Sequence, residues 1–163
     1  MPVRKLPGVR RPSKSDAALT VVVGCGRLGA HIASTLSEEG GSVVIIDLTR
    51  DAFLKLAPSF DGVTLTGDAT ELPILEEAGL RDASALIAVT ERDNTNIMVA
   101  QMARALYGVP RVIARLYDPD KECVYKDLGI GTISPVLLST KEIEHILRPP
   151  GTDAEDAESG AGA

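Results

Sequence analysis

The chain has 163 residues, 44% of them hydrophobic, and a net charge of −6. That length suits one compact domain and is too short for two ordinary ones. The acidic balance excludes a surface that coats nucleic acid, which needs clustered Lys and Arg, and no apolar run approaches the roughly 20 residues that span a bilayer.

With Trp absent and aromatics at 3%, Ala, Val, Ile and Leu must build the core, as they do in parallel sheets covered by helices. The chain opens on "MPVRKLPGVRRPSKSDA", which is basic and punctuated by proline. Residues 1–18 read as a disordered arm: they lack the apolar centre of a signal peptide, and their prolines oppose a targeting helix. Anionic lipid head groups or an acidic partner suit the charge of this arm. "LTVVVG" then reads as a buried strand that enters "GCGRLG", where Gly24, Gly26 and Gly29 fit GxGxxG between a strand and a helix expected to begin near Leu28. In this motif Gly24 permits the tight turn, Gly26 lets backbone approach phosphates, and Gly29 lets the helix pack on the strand. The helix mouth turns unpaired N–H groups toward an anion. Arg27 follows the second glycine, in reach of a terminal phosphate or a neighbouring subunit. Cys25 reads as a small turn residue, and Cys25 and Cys123, far apart and outside any CxxC pair, read as reduced cytosolic thiols.

"SVVIID" is the second strand. It ends in Asp47 at the distance, about 20 residues from the turn, where an acid accepts hydrogen bonds from the ribose hydroxyls. A 2′-phosphate about 4 Å away would be repelled by roughly 4 kcal/mol at an effective dielectric near 20, so NAD or an adenine nucleotide is preferred over NADP, although Arg50 partly neutralises that repulsion. The competing role for Asp47 is to cap the next turn. Leu48, beside it, joins the candidate nucleotide-binding set. "GVTLTGD" is the third strand, and the "TGDAT" after it puts Asp68 and Ala69 at the sheet's carboxyl edge, where an adenine ring would be read by backbone and by Asp68. A turn-stabilising Asp68 is the competing account. Thr70 is expected to cap a helix with Pro73 in its first turn.

"SALIAVT" is the fourth strand, closed by Thr90 and followed by Asp93, Asn94 and Asn96. This loop either caps ribose or phosphates or forms an N-cap cluster. "NIMVAQMARAL" is apolar around most of its circumference, either because its outer side meets another subunit or because Ala-rich helices read that way. "RVIARLY" is the fifth strand, with Arg115 toward the carboxyl edge; two arginines near the phosphates suit a highly charged ligand, while exposed or ion-paired roles are equally open for each. Asp118 and Pro119 form an N-cap and N1 pair, "GTIS" is a weaker sixth strand, and Ser139 with Glu142 matches a capping box. The helix in "STKEIEHIL" either crosses to a sister subunit or closes the core with Ile143, Ile146 and Leu147. Residues 149–163 are small and acidic, and read as a disordered tail.

Alternating strands and helices imply a doubly wound, parallel, six-stranded Rossmann-like α/β sheet in a single domain, residues 19–148. Hydride transfer needs a substrate pocket over the nicotinamide and a positioned proton donor. No second domain follows, and no Ser-x-x-x-Lys, Cys–His or carboxylate pair stands at a suitable place, so no catalytic residue is assigned and the chain is read as a non-enzyme. No helix-turn-helix is present. His31 and His145 lack partners at metal spacing, so no metal site is assigned. The competing class is an NAD-dependent oxidoreductase fragment completed by a partner chain.

Taken together, "VVVGCGRLG", "IID", "TGDATE", "LIAVTERDNTNI" and "RVIARLYDPD" resemble the N-terminal domain of the Trk/Ktr potassium-uptake regulators, the TrkA-N or RCK domain, over roughly Leu19 to Leu147. The resemblance implies a Rossmann domain that binds NAD(H) or ATP/ADP as a regulatory ligand. It implies homodimers or larger rings, cytoplasmic and peripheral to the inner face of the membrane, beneath a K⁺ transporter or channel subunit. By matching positions, Gly24, Cys25, Gly26, Arg27, Leu28 and Gly29 hold phosphates and Asp47 the ribose. Asp68 and Ala69 meet the adenine side, Thr90 lines the cleft, and Arg27 and Arg115 approach phosphate. The small C-terminal domain of most members is missing, so a separate chain would have to supply it. "ISPVLLS", with Val136 where some ATP-type members carry an acid for a divalent cation, departs from the metal-binding pattern and is closer to the NAD-associated branch.

Overall fold

The computed structural model describes residues 18–126 and 128–148; the basic arm as far as residue 17, the acidic tail 149–163 and the side chain of Cys123 lie outside what it describes. Six parallel strands form one sheet in the order β3-β2-β1-β4-β5-β6. They are β1 (Leu19–Val23), β2 (Ser42–Asp47), β3 (Val63–Thr66), β4 (Ala83–Ala88), β5 (Arg111–Arg115) and β6 (Gly131–Ile133). The order reverses direction between β1 and β4, which makes their carboxyl ends the switch point where ligands of open α/β sheets bind.

Register explains the core. Val22 pairs with Ile45 on one side and Ile87 on the other, and period-2 alternation sends these to one face while Val21, Val23, Ile46 and Leu86 go to the opposite face. The first face packs against α1 (Arg27–Glu38) through Ala30 and Ala33. The second is covered by α2 (Leu72–Glu77) and α3 (Asp93–Ala105), which contribute Leu75, Ile97, Ala100 and Ala103. Between β2 and β3 the chain makes a 3₁₀ segment, Arg50–Lys55, whose Ala52 and Phe53 join the α1-side core; at the other end of the sheet Ile113 on β5, paired with Ile87, is left 40% exposed.

Helix punctuation corrects two expectations and bears out a third. Thr70 does not cap α2: Glu71 occupies the N-cap position, Pro73 sits in the first turn, and Thr70 donates to Asp68 instead. Asp118 does cap, accepting from the Asp120 N–H ahead of a 3₁₀ turn, Pro119–Lys121, that leads into α4 (Glu122–Lys126). The last helix, α5 (Pro135–Leu147), begins a turn before Ser139: Ser134 is its N-cap, accepting from the Leu137 N–H at 3.4 Å, and Pro135 is N1. Ser139 and Glu142 therefore lie inside the helix. Nor does α5 close the core, since it buries no residue and leaves Ile146 and Leu147 71% and 76% exposed. On α3 the apolar stripe faces the sheet, while Met98 stands exposed on the outer side with Gln101 and Arg104. Among the described residues no helix is long and apolar enough to cross a membrane.

Candidate nucleotide-binding site

Three glycines shape the turn after β1, for different reasons. Gly24 has φ +99°, and a Cβ there would lie 2.9 Å from the Thr90 nitrogen, so both conformation and space demand glycine. A Cβ on Gly29 would lie 1.8 Å from the Gly24 carbonyl oxygen; this glycine sets how closely α1 approaches β1. Gly26 differs. Its φ of −72° is open to any residue, and a Cβ there would meet nothing within 4 Å. The protein itself gives no reason for glycine at this position. The empty space lies at the mouth of α1, whose first turn has no side-chain cap and so presents unclaimed N–H groups. This cradle fits the phosphates of a nucleotide.

Asp47, at the end of β2, faces the same turn. Its Oδ2 accepts from the Cys25 N–H at 2.7 Å, and its Oδ1 accepts from the Thr49 N–H at 3.0 Å and the Thr49 hydroxyl at 3.3 Å. The carboxylate thus ties the glycine turn to the β2 loop, and Oδ2, with one donor against the two on Oδ1, keeps a second lone pair for a ribose hydroxyl. Cys25 is more than a small filler: its buried thiol donates to the Ala52 carbonyl at 3.3 Å. Burial pushes the thiol pKa up, the Asp47 charge adds to this, and Lys55 opposes it. Leu28 packs half-buried against the α1-side core, and Leu48 is exposed on the lip of the β2 loop.

On the β3 side, Asp68 Oδ1 accepts from the Thr70 hydroxyl at 2.7 Å and the Thr70 N–H at 2.9 Å. Those bonds hold its carboxyl below the usual range; slight burial opposes them and the positive charge of Arg92 assists. Asp68 is therefore a turn-stabilising residue. Ala69 is buried in the core, which leaves only its backbone to meet a ligand.

At the ends of β4 and β5 the polar loop is neither a simple cap cluster nor a free surface. Asn96 is fully buried. Its Oδ1 accepts from the Thr90 N–H (2.8 Å) and the Thr90 hydroxyl (2.6 Å), and its Nδ2 donates to the carbonyls of Thr90 and Arg115, both at 3.0 Å. Asp93 likewise reaches across, accepting from the N–H groups of Tyr117 (2.9 Å) and Asp118 (3.1 Å). The N-cap position of α3 belongs to Arg92. Asn96 was legible as a polar residue but not as the hub that joins two strand ends, because β4 and β5 are neighbours only in the folded sheet.

Arg115 corrects the expectation of an exposed or ion-paired arginine. It is 9% exposed, donates from Nη2 to the Thr90 carbonyl at 2.7 Å, and lies with Cζ 4.6 Å from the centre of the Tyr117 ring. Its Nε is buried without a partner among the described residues. Arg27, by contrast, is exposed and borders a groove of about 480 Å³ with His31, Ser34 and Lys55. A second depression, about 610 Å³, is lined by Glu91, Arg92, Asp93, Asn94, Thr95 and Tyr117. Among the described residues no three His, Cys, Asp or Glu side chains gather as a metal ion would require. The structure thus brings Gly24, Gly26, Thr90, Cys25 and Asp47 to one crevice, with Asp68 in a separate turn and Arg115 beneath the β4 loop.

Comparison with known proteins agrees with this geometry. The chain is 39% identical over 133 residues to the Trk system potassium uptake protein TrkA of Streptomyces coelicolor, covering 82% of this chain and 60% of that protein. It therefore spans about three-fifths of that relative's length. Among solved structures it is similar to the GsuK channel bound to NAD and to GsuK bound to ADP, each 26% identical with a TM-score of 0.68 over 80% of this chain, and 23% and 34% of theirs. The model of the TrkA-N domain matches residues 20–135, most of the sheet and every element of the crevice, and the chain belongs to the TrkA-N domain family.

Proposed function

We propose that this chain is a nucleotide-sensing regulatory subunit of a potassium-uptake system, which binds NAD(H) or ATP/ADP without consuming it. The observation that carries this reading is Gly26, a glycine that neither backbone conformation nor packing explains, left open at the mouth of α1 beside Asp47. The names of the similar proteins support it: a potassium-uptake protein, and a channel with NAD or with ADP bound. Phosphates sit on the N–H groups of Gly26 to Gly29, the ribose on Asp47, and the adenine by the backbone of Asp68 and Ala69. The site works as a sensor because two ligands that bind two conformations unequally shift the balance between them.

The partner in this reading is a membrane K⁺ transporter or channel subunit, with the chain at the cytoplasmic face. The apolar residues of α5, unburied in one copy, suit a homodimer or larger ring. Titration of the purified protein with NADH, NAD, ATP and ADP tests the reading, and binding by none of them ends it. Asp47→Ala is expected to weaken every adenosine ligand about tenfold, the loss of one charge-assisted hydrogen bond; unchanged affinities would place the ribose elsewhere.

A further inference from the structure

The nucleotide crevice accounts for the ends of β1, β2 and β3 and reaches β4 at Thr90, and it leaves the loop after Thr90 and the end of β5 without a ligand role. An open surface depression of about 610 Å³ lies there. Five of its six lining residues are polar or charged. The exception is Tyr117, 47% exposed and two residues past the end of β5. Two contacts hold this residue in place. Its N–H is fixed by Asp93 at 2.9 Å, and its ring rests against the Arg115 guanidinium, which is itself pinned to the Thr90 carbonyl. An aromatic ring fixed by a buried cation and left half open is a ready stacking surface.

The position of the ring limits what reaches it. With Asp47 marking the adenosine half over β2 and the glycine turn marking the phosphates over β1, the continuation of a bound ligand runs toward β4 and β5, strands spaced about 4.8 Å apart. A mononucleotide has only one ring, and it stays on the β2–β3 side. A terminal phosphate entering the depression meets the carboxylates of Glu91 and Asp93 against the single free guanidinium of Arg92, while Arg115 is covered by the Tyr117 ring. A second planar ring meets Tyr117, with the side chains of Asn94 and Thr95 at hand for a polar substituent. We propose that Tyr117 is the platform on which the second ring of a dinucleotide stacks, and that this residue makes the chain discriminate dinucleotides from mononucleotides.

This inference rests on the nucleotide-sensing reading, and the experiment separates the two. Isothermal titration of the full chain compares NAD, ADP-ribose (the same molecule without the second ring) and ADP, in wild type, Tyr117→Phe and Tyr117→Leu. Stacking on an aromatic side chain predicts that wild type binds NAD about tenfold more tightly than ADP-ribose. Tyr117→Phe keeps that margin; Tyr117→Leu removes it and leaves ADP-ribose and ADP affinities unchanged. Equal wild-type affinities for NAD and ADP-ribose, or a Tyr117→Leu loss shared by all three ligands, overturns the inference while the sensing reading stands. No binding of ADP, ADP-ribose or NAD to wild type overturns the inference, and absence of NADH and ATP binding as well overturns the sensing reading with it.

Discussion

The Gly26→Ala variant is expected to fold at least as stably as the wild type while binding ADP and NAD at least tenfold more weakly. Gly26 and Gly29, three residues apart, respond to a methyl group in opposite ways. At Gly26 the backbone already has φ −72° and ψ −171°, which alanine adopts without strain, and the new methyl touches nothing within 4 Å. Alanine there removes freedom from the unfolded chain, a gain of about 0.4–1 kcal/mol that corresponds to a rise of roughly 1–4 °C in Tm for a domain of this size. The methyl occupies the space into which the phosphates descend. Displacing one charge-assisted hydrogen bond to phosphate costs about 1.5–3 kcal/mol, or roughly 10–150-fold in affinity. At Gly29 the balance reverses, because its Cβ would stand 1.8 Å from the Gly24 oxygen and must retreat to at least 3.0 Å. Overpacking of that kind costs about 1–3 kcal/mol or more, so Gly29→Ala lowers Tm before any ligand is added. Thermal melts and titrations on both variants are the assay. A Gly26→Ala protein that melts below wild type, or that binds ADP with wild-type affinity, refutes the assignment of that space to the ligand.

Three further outcomes follow from side chains around the crevice. Asn96→Ala strands the Thr90 N–H and takes the Asn96 donor from the Arg115 carbonyl, while the Thr90 carbonyl keeps Arg115 Nη2; it is expected to cost about 2–3 kcal/mol, read as a lower urea midpoint, and a loss below about 0.5 kcal/mol, the level of ordinary surface changes, removes the hub. The depressed pKa of Asp68 means that its contribution to stability is present above the unfolded-state value near 4 and is lost as pH falls through the lower folded value. Urea midpoints measured between pH 5 and pH 3 should therefore fall more steeply for wild type than for Asp68→Asn, and parallel curves contradict the assignment. Burial and the raised pKa of the Cys25 thiol predict that iodoacetamide leaves it unmodified in the native protein and alkylates it in urea, as peptide mass mapping reads directly. Alkylation at equal rates in both states rejects its placement in the core.

The strands were legible because each is a β-branched run closed by turn residues, and the glycine turn because three spaced glycines between a strand and a helix leave few alternatives. Asp47 followed from its distance to that turn. What sequence spacing did not carry is long-range pairing. Asp93 binds backbone groups of Tyr117 and Asp118, and Asn96 binds Arg115, only because β4 and β5 lie side by side. A polar cluster ahead of a helix looks the same whether it caps that helix or bolts a neighbouring loop. The strand position of Arg115 was readable and its burial was not, because its guanidinium is held by the Thr90 carbonyl, which only the folded sheet brings beside it. Near α5 two local signals competed. Ser134 with Pro135 at N1 won over Ser139 with Glu142 because proline at that position presets the first helical turn.

The bond between the Asp47 carboxylate and the Cys25 N–H is made by the protein alone. In the proposed function the sugar acceptor and the phosphate loop would therefore meet their ligand already assembled, with little order left to create on that side. A common adenosine moiety would then be gripped the same way whichever messenger carries it. Telling one messenger from another is then left to the part of each molecule that extends beyond its pyrophosphate.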